Sequence, residues 1–273
     1  MIRLRADSDR LRRMLRQREI DAVFRRAPPG TFDEALELGA GDGFQSRFLA
    51  VYARRVVCTD MNADRLRGEA HPSITYEVCD TEELPYETGR FDLIYSSNLL
   101  EHLQNPARAL SEMHRVLKEN GVMIHVVPNR LWKALQFAMF VPNQLLQMAE
   151  ILVSNERRKT IGKIQSPINN LRRRPAPFLV RNLWPQVHGE SPNHLVEFIR
   201  MGASHWDRLF FEAGFHLTGQ IDGLPAHSPY RIGLEAPRRV LEKMGLSSCN
   251  GYVLTKIGQP SPATRFFIAD GLQ

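Results

Sequence analysis

Cysteine is scarce: three in 273 residues, Cys58, Cys79 and Cys249, with no CxxC pair and no basis for a disulfide framework. Cys58 and Cys79 lie in apolar runs, the setting of a buried reduced thiol, which predicts a reducing, cytoplasmic environment. The Arg-rich N-terminus has no apolar segment behind it, so no signal peptide is expected. Internal repeats and low-complexity tracts are missing, and the spacing of Cys, His and acidic residues predicts no metal site. The apolar stretch 131–153 is interrupted by Lys133, Gln136, Pro142, Asn143, Gln144, Gln147 and Glu150, which counts against a membrane-spanning helix.

With 43% apolar residues the chain can bury one sizeable core, and 24% charged residues of mixed sign argue against disorder. The net charge of +6 is unevenly placed. Residues 1–30 carry nine Arg against four acids, and residues 31–153 carry eleven bases against seventeen acids. Residues 155–184 carry eight bases against Glu156 alone. An acidic middle flanked by basic segments fits an anionic partner at the flanks, and equally fits a solvated basic face.

Residues 8–26 have the spacing of a basic amphipathic helix, with Leu11, Met14, Leu15 and Val23 on one side; Pro28, Pro29 and Gly30 stop it. Strand and helix patterns then alternate, which predicts an α/β fold with a parallel sheet. Strands are expected at Glu34–Leu38, Arg55–Thr59, Ile74–Val78, Phe91–Ser96 and Val122–Val127. Helices are expected at Gln45–Tyr52, Asn62–Glu69 and Pro106–Lys118, the last ending where Gly121 takes a left-handed cap. After Pro128 the rhythm breaks. Two short helices divided at Pro142 are expected in 131–153, then a basic, Pro-interrupted stretch to 184 and helix again in 191–213. Strands at His216–Asp222 and Gly251–Lys256 precede an irregular tail after Gly258.

The sharpest local signal is Glu37-Leu38-Gly39-Ala40-Gly41-Asp42-Gly43, between a short apolar strand and a helix. Glycines there let the backbone turn tightly and approach a ligand. A dinucleotide-binding turn needs glycine where this chain has Phe44, which counts against a pyrophosphate ligand. Asp60 ends the next strand, where a carboxylate can accept from ribose hydroxyls, and Asp80 ends the third, facing an exocyclic amine. Acids closing three successive strands, at 37, 60 and 80, suit a ligand with an amine, a ribose and a positive centre.

As an ordered set, ELGAGDG, the Asp60 strand end, VCDTEELPY, FDLIYSSNLLEHL and RVLKENGVMI resemble the motifs of class I S-adenosylmethionine-dependent methyltransferases, particularly the group that includes quinone-biosynthesis enzymes. The resemblance covers about 33–127 and is faint over 191–258, where FFEAGFHL is similar to the helix and strand that close such domains. It implies a doubly wound, Rossmann-like seven-stranded sheet of order 3-2-1-4-5-7-6 with the last strand antiparallel. It also implies S-adenosyl-L-methionine as cofactor and S-adenosyl-L-homocysteine as product. On this resemblance Glu37 sits by the methionine amino group, over a turn formed by Gly39, Ala40, Gly41 and Gly43. Asp60 holds the ribose, Met61 packs on the adenine, Asp80 meets the adenine amine beside Thr81, and Ser97 or Asn98 lines the methionine end. The implied domain has a basic helix at 1–30, a cofactor core at 31–130, a helical insertion at 131–190, closing elements at 191–258 and a tail at 259–273.

Methyl transfer is an in-line displacement in which positioning and exclusion of water matter most. A hydroxyl acceptor must also lose its proton. Two histidines compete for that role: His102, one helical turn beyond Asn98, and His188, in the loop after the insertion. Each has a plainer reading, His102 within a helix start where Asn98 and Glu101 form a capping box, and His188 in a surface turn. His125 is expected to be buried in the fifth strand. Residues 131–153 suit a lid, a homodimer contact or, with the basic 154–184 segment, a peripheral contact at the inner face of a membrane. The acceptor is expected to be a small molecule, lipid or glycan, methylated at oxygen. The alternatives are an RNA methyltransferase and a methyltransferase-like scaffold without turnover. Against nucleic acid stand Ser97-Asn98-Leu99-Leu100, where base-amine enzymes often carry an Asn/Asp-Pro-Pro-aromatic motif, and the lack of a recognisable RNA-binding module.

Overall fold

The computed structural model describes residues 8–66, 68, 70–161, 184–227, 230 and 235–268. Seven strands form one sheet: β1 (Phe32–Leu38), β2 (Ala53–Asp60), β3 (Ile74–Val78), β4 (Phe91–Ser97), β5 (Leu117–Pro128), β6 (Phe215–Ile221) and β7 (Cys249–Lys256). Their order is β3-β2-β1-β4-β5-β7-β6, as the resemblance implied. The pairings among β1 to β5 are parallel, and β7 is antiparallel to both β5 and β6. Central strands of such a sheet are covered on both faces and so read as unbroken apolar runs. Leu36, Leu38, Leu93, Ile94, Tyr95, Ile124 and Val126 are all fully buried.

Helices cover both faces. α1 (Ser8–Val23) and α2 (Ser46–Tyr52) lie on one, where Ile20, Val23, Phe24 and Leu49 pack against Val56, Leu93, Tyr95 and Ile124. α3 (Pro106–Val116) and the later α6 (Ala203–Glu212) lie on the other. α3 starts with Pro106 in its first turn and the Asn105 side chain accepting from the Arg108 amide, and it buries Ala109, Leu110, Met113 and Val116. Truncating a fully buried side chain such as Leu110 to alanine would cost about 2–5 kcal/mol. α4 (Arg130–Ile161) follows β5, then α5 (His194–Arg200), α6, and α7 (Glu235–Lys243) between β6 and β7.

Four expectations are corrected. Asn62–Glu69 is not a helix: the described residues make a turn, in which the Asn62 side chain and carbonyl take the amides of Asp64 and Arg65; Arg67 and Glu69 lie outside the described residues. α3 stops at Val116 and β5 begins at once, so Gly121 lies inside a strand and does not take the left-handed conformation. Residues 131–153 lie within one helix, α4. Its buried side chains Trp132, Lys133, Gln136, Phe140 and Asn143 follow helical spacing past the exposed Pro142, and their packing holds the helix through the lost hydrogen bond. Last, Asn98 and Glu101 form no capping box: Leu100–His102 is a single 3₁₀ turn without a side-chain cap. Most of the basic 154–184 segment lies outside the described residues. Among the described residues, no helix is long and apolar enough to cross a membrane.

Candidate functional site

The strand ends β1, β2 and β4 surround the glycine-rich turn. Gly39, Gly41 and Gly43 all take positive φ, at 66°, 61° and 69°, a region that favours glycine. A Cβ on Gly39 would lie 2.7 Å from the Leu99 side chain, and one on Gly43 would lie 2.6 Å from Tyr76. At Gly41 a Cβ would meet nothing within 4 Å, so open space lies over the turn. The turn is tied to β2: the Ala40 amide donates to the Thr59 carbonyl at 2.8 Å, and the Gly41 amide donates to Asp60 Oδ2 at 2.9 Å.

Asp60 is thereby fixed, with its other oxygen accepting from the Asn62 amide at 2.9 Å. Met61, next in the chain, is 71% exposed. Asp80 is exposed, with Oδ1 accepting from the Glu82 amide, and Thr81 is buried beside it. Glu37 is buried and accepts from the Ser46 hydroxyl on α2. Burial raises its carboxyl to about 8, more than the Ser46 hydrogen bond and the Arg16 charge lower it. Burial therefore favours the neutral form of the acid that opens the motif.

α1 closes the end of the site at β4, a contribution the sequence reading missed. Arg16 donates to the Ser97 hydroxyl, and the Asn98 carboxamide oxygen, turned toward the guanidinium, accepts from it at 2.6 Å. Glu19 accepts from Arg16, Ser97, Tyr95 and Gln45. Burial pushes the Glu19 carboxyl up, but Arg16, Ser97 and Gln45 outweigh it and hold the pKa below the ordinary value. Asn98 itself has φ of 50°, which turns the chain sharply off β4.

The two competing histidines are neighbours. Their ring centroids are 4.5 Å apart, and the Nε2 atoms of His188 and His102 lie 3.7 and 3.9 Å from Glu101 Oε1. Burial lowers the His102 pKa, more than Glu101 raises it. Glu101 and His188 line a cavity of about 250 Å³, with Glu190, Arg200, His205 and Trp206 among its other walls. The loop carrying His188 is held by α4 and α5. Trp132 packs on the His188 ring, and the buried Lys133 bridges to Glu197 at 2.5 Å and to His194. His125 is fully buried, with Nδ1 2.7 Å from Ser96 Oγ, and burial lowers its pKa to about 3. His227 was also missed. It lines a smaller apolar crevice with Leu11, Leu15, Leu135 and Met139, and burial lowers its pKa to about 4. No local motif marks it.

A Rossmann-like sheet of this order, with acids at the carboxyl ends of β1 and β2 and just past β3 around a glycine turn, defines the class I methyltransferase architecture. Residues 36–125 match the family model of the methyltransferase domain, and this segment is a class I S-adenosylmethionine-dependent methyltransferase domain. The chain is 29% identical over 117 residues to a "Probable S-adenosylmethionine-dependent methyltransferase" of Mycobacterium tuberculosis strain H37Rv, covering 42% of this chain and 43% of that protein. It is 28% identical over 122 residues to a ubiquinone biosynthesis O-methyltransferase of Pseudomonas aeruginosa, covering 42% and 53% respectively. The chain thus spans about half the length of these relatives. Among solved structures, it superposes with a TM-score of 0.55 on the complex between the Haloferax volcanii Trm112 methyltransferase activator and a methyltransferase. That match has 16% identity and covers 92% of this chain and 94% of that one, a likeness of fold.

Proposed function

We propose that this protein transfers a methyl group from S-adenosylmethionine to a hydroxyl oxygen of a small-molecule, lipid or glycan acceptor. The observation that carries the reading is the Gly41–Asp60 hydrogen bond. It joins the open turn to a strand-end carboxylate, in the arrangement that a ribose and a methionine tail require.

The residues present suit that cofactor. Gly41 leaves open space for the methionine tail over the turn that Gly39, Ala40 and Gly43 complete, and Asp60 has lone pairs left for ribose hydroxyls. The exposed Met61 offers an apolar face to the adenine, with Asp80 and Thr81 at its amine edge. Ser97 and Asn98 line the methionine end, and Glu37 meets the amino group from below. When bound, the sulfonium supplies an activated methyl group and its own positive charge as driving force.

In this reading the acceptor occupies the 250 Å³ cavity at the ends of β4 and β5, slightly below the ordinary range of ligand-pocket sizes. Proton removal falls to the cluster of Glu101, His102 and His188. His188 is the better placed imidazole, because it faces this cavity, and its position is fixed by Trp132. A ubiquinone biosynthesis enzyme among the relatives is named an O-methyltransferase, which supports oxygen as the target.

A second reading concerns the acceptor. Phe137, Val141 and Leu145 are exposed and lie four residues apart on α4, forming an apolar stripe, and the basic segment follows them in the sequence. That pattern favours a lipid-linked acceptor met at an anionic membrane surface. Turnover with tritiated S-adenosylmethionine and a panel of phenolic, lipid and glycan hydroxyl acceptors tests the proposal. Label transferred to oxygen is expected, and label in RNA alone would favour the nucleic-acid alternative.

A further inference from the structure

We propose that Glu101, His102 and His188 form a binding site for one divalent cation of the zinc type, set in the wall of the 250 Å³ cavity. The first observation is the carboxylate. The Glu101 side chain is 7% exposed, and both its oxygens are buried with no hydrogen-bond partner. A carboxylate left so is expensive unless something charged or hydrogen-bonding meets it.

The second observation is the spacing. The His188 and His102 nitrogens stand 3.7 and 3.9 Å from the same oxygen, Oε1, too far for hydrogen bonds. The ligand atoms of all three residues lie within 4.8 Å of one another. Two ligands each about 2.0–2.2 Å from a shared cation sit roughly 3–4 Å apart, so the 3.7 and 3.9 Å spacings fit a coordination shell and a small inward shift of the imidazoles would complete it. Two imidazoles and a carboxylate favour zinc and its neighbours over magnesium or calcium, which prefer all-oxygen sites.

The ligands are held in place by the backbone. Glu101 and His102 are consecutive in the 3₁₀ turn that follows β4. The loop bearing His188 docks on that turn: the Glu190 amide donates to the Glu101 carbonyl at 3.0 Å. Gly189 takes φ of 68°, and a Cβ there would lie 2.1 Å from the same carbonyl oxygen. Only glycine allows this close approach, and it brings His188 back over Glu101. Three protein ligands beside an open cavity leave a coordination position for water or an acceptor hydroxyl, whose proton a bound cation would loosen. That use in catalysis, in which the bound cation would take the place of a free His188 imidazole in loosening the proton, rests on the methyl-transfer reading; the site itself does not.

The test is calorimetric titration of the full chain, stripped with chelator, with zinc chloride, with magnesium chloride, and separately with S-adenosylhomocysteine. One equivalent of zinc is expected, with no comparable magnesium binding. His188→Ala and Glu101→Gln should each weaken zinc by at least about tenfold while S-adenosylhomocysteine affinity holds. If Glu101→Gln does not fold, His188→Ala on its loop decides. No zinc uptake by the wild type, or variants that bind zinc as tightly as it does, would overturn the site. Zinc binding without S-adenosylhomocysteine binding would leave the site standing and remove the methyltransferase reading instead.

Discussion

The guanidinium of Arg16, near the start of the described chain, donates to the hydroxyl of Ser97, 81 positions later at the end of β4. Both groups also meet the buried carboxylate of Glu19. Helix α1 lies outside the matched segment 36–125, yet it supplies a wall of the proposed methionine end. Arg16→Ala leaves Glu19 without its cation, so the unfolding free energy should fall by about 1.5–3 kcal/mol, the range for hydrogen bonds to charged groups. Urea unfolding measures this, and the same variant should bind S-adenosylhomocysteine more weakly. Wild-type values on both counts would mean that α1 is only a cover.

Glu37 gives a pH signature. Its carboxyl is raised by burial to about 8 from an ordinary 4.5. Between those values the folded chain keeps a proton that the unfolded chain has released, so this group lowers stability progressively as pH rises, levelling off above 8. Glu37→Gln should therefore be more stable than wild type, by a margin that widens from pH 5 to 8, in thermal unfolding without cofactor. An ammonium group brought against the carboxyl favours its ionised form, so S-adenosylhomocysteine binding at pH 7 should release a proton. Calorimetric heats that do not vary with buffer ionisation enthalpy would contradict the placement of Glu37.

Loss of His188 should lower turnover about 10²–10⁴-fold, the span of general acid–base effects, with cofactor affinity little changed. His102, which does not line the cavity, should matter less. Steady-state rates for the two alanine variants decide the order. Loss of activity in His102→Ala with a normal rate in His188→Ala would reverse the assignment.

The apolar stripe on α4 predicts membrane contact. Vesicles containing anionic lipid should carry the protein down in low salt and release it as salt rises. Val141→Ser with Leu145→Ser should leave it in the supernatant, since both side chains are exposed and their loss does not disturb the core. Wild type remaining in the supernatant with anionic vesicles at low salt would rule the idea out.

The sheet was legible in the sequence because its central strands are buried on both faces, and their apolar runs stand out between glycine and proline. Ile74–Val78 matches to the residue, and Phe91–Ser96 extends by one. The errors came where a side chain or a packed surface overrode the local pattern: the Asn62 side chain accepting from the Asp64 amide, and the buried stripe of α4 running past Pro142. The glycine turn and the acids at 37, 60 and 80 were readable because strand ends fix where they must lie. Arg16, Glu19 and the meeting of His188 with Glu101 were not. Those contacts join segments far apart in sequence, through a docked helix and a loop whose approach no periodicity records.

The central claim is that the Gly39–Gly43 turn and Asp60 hold S-adenosylmethionine. Calorimetric titration with S-adenosylhomocysteine tests it most directly. Micromolar binding is expected, with Asp60→Ala weakening it by about 1.5–3 kcal/mol as hydrogen bonds to the carboxylate are lost. Absence of binding to the wild type, or tight binding of a nicotinamide dinucleotide in its place, would contradict the account.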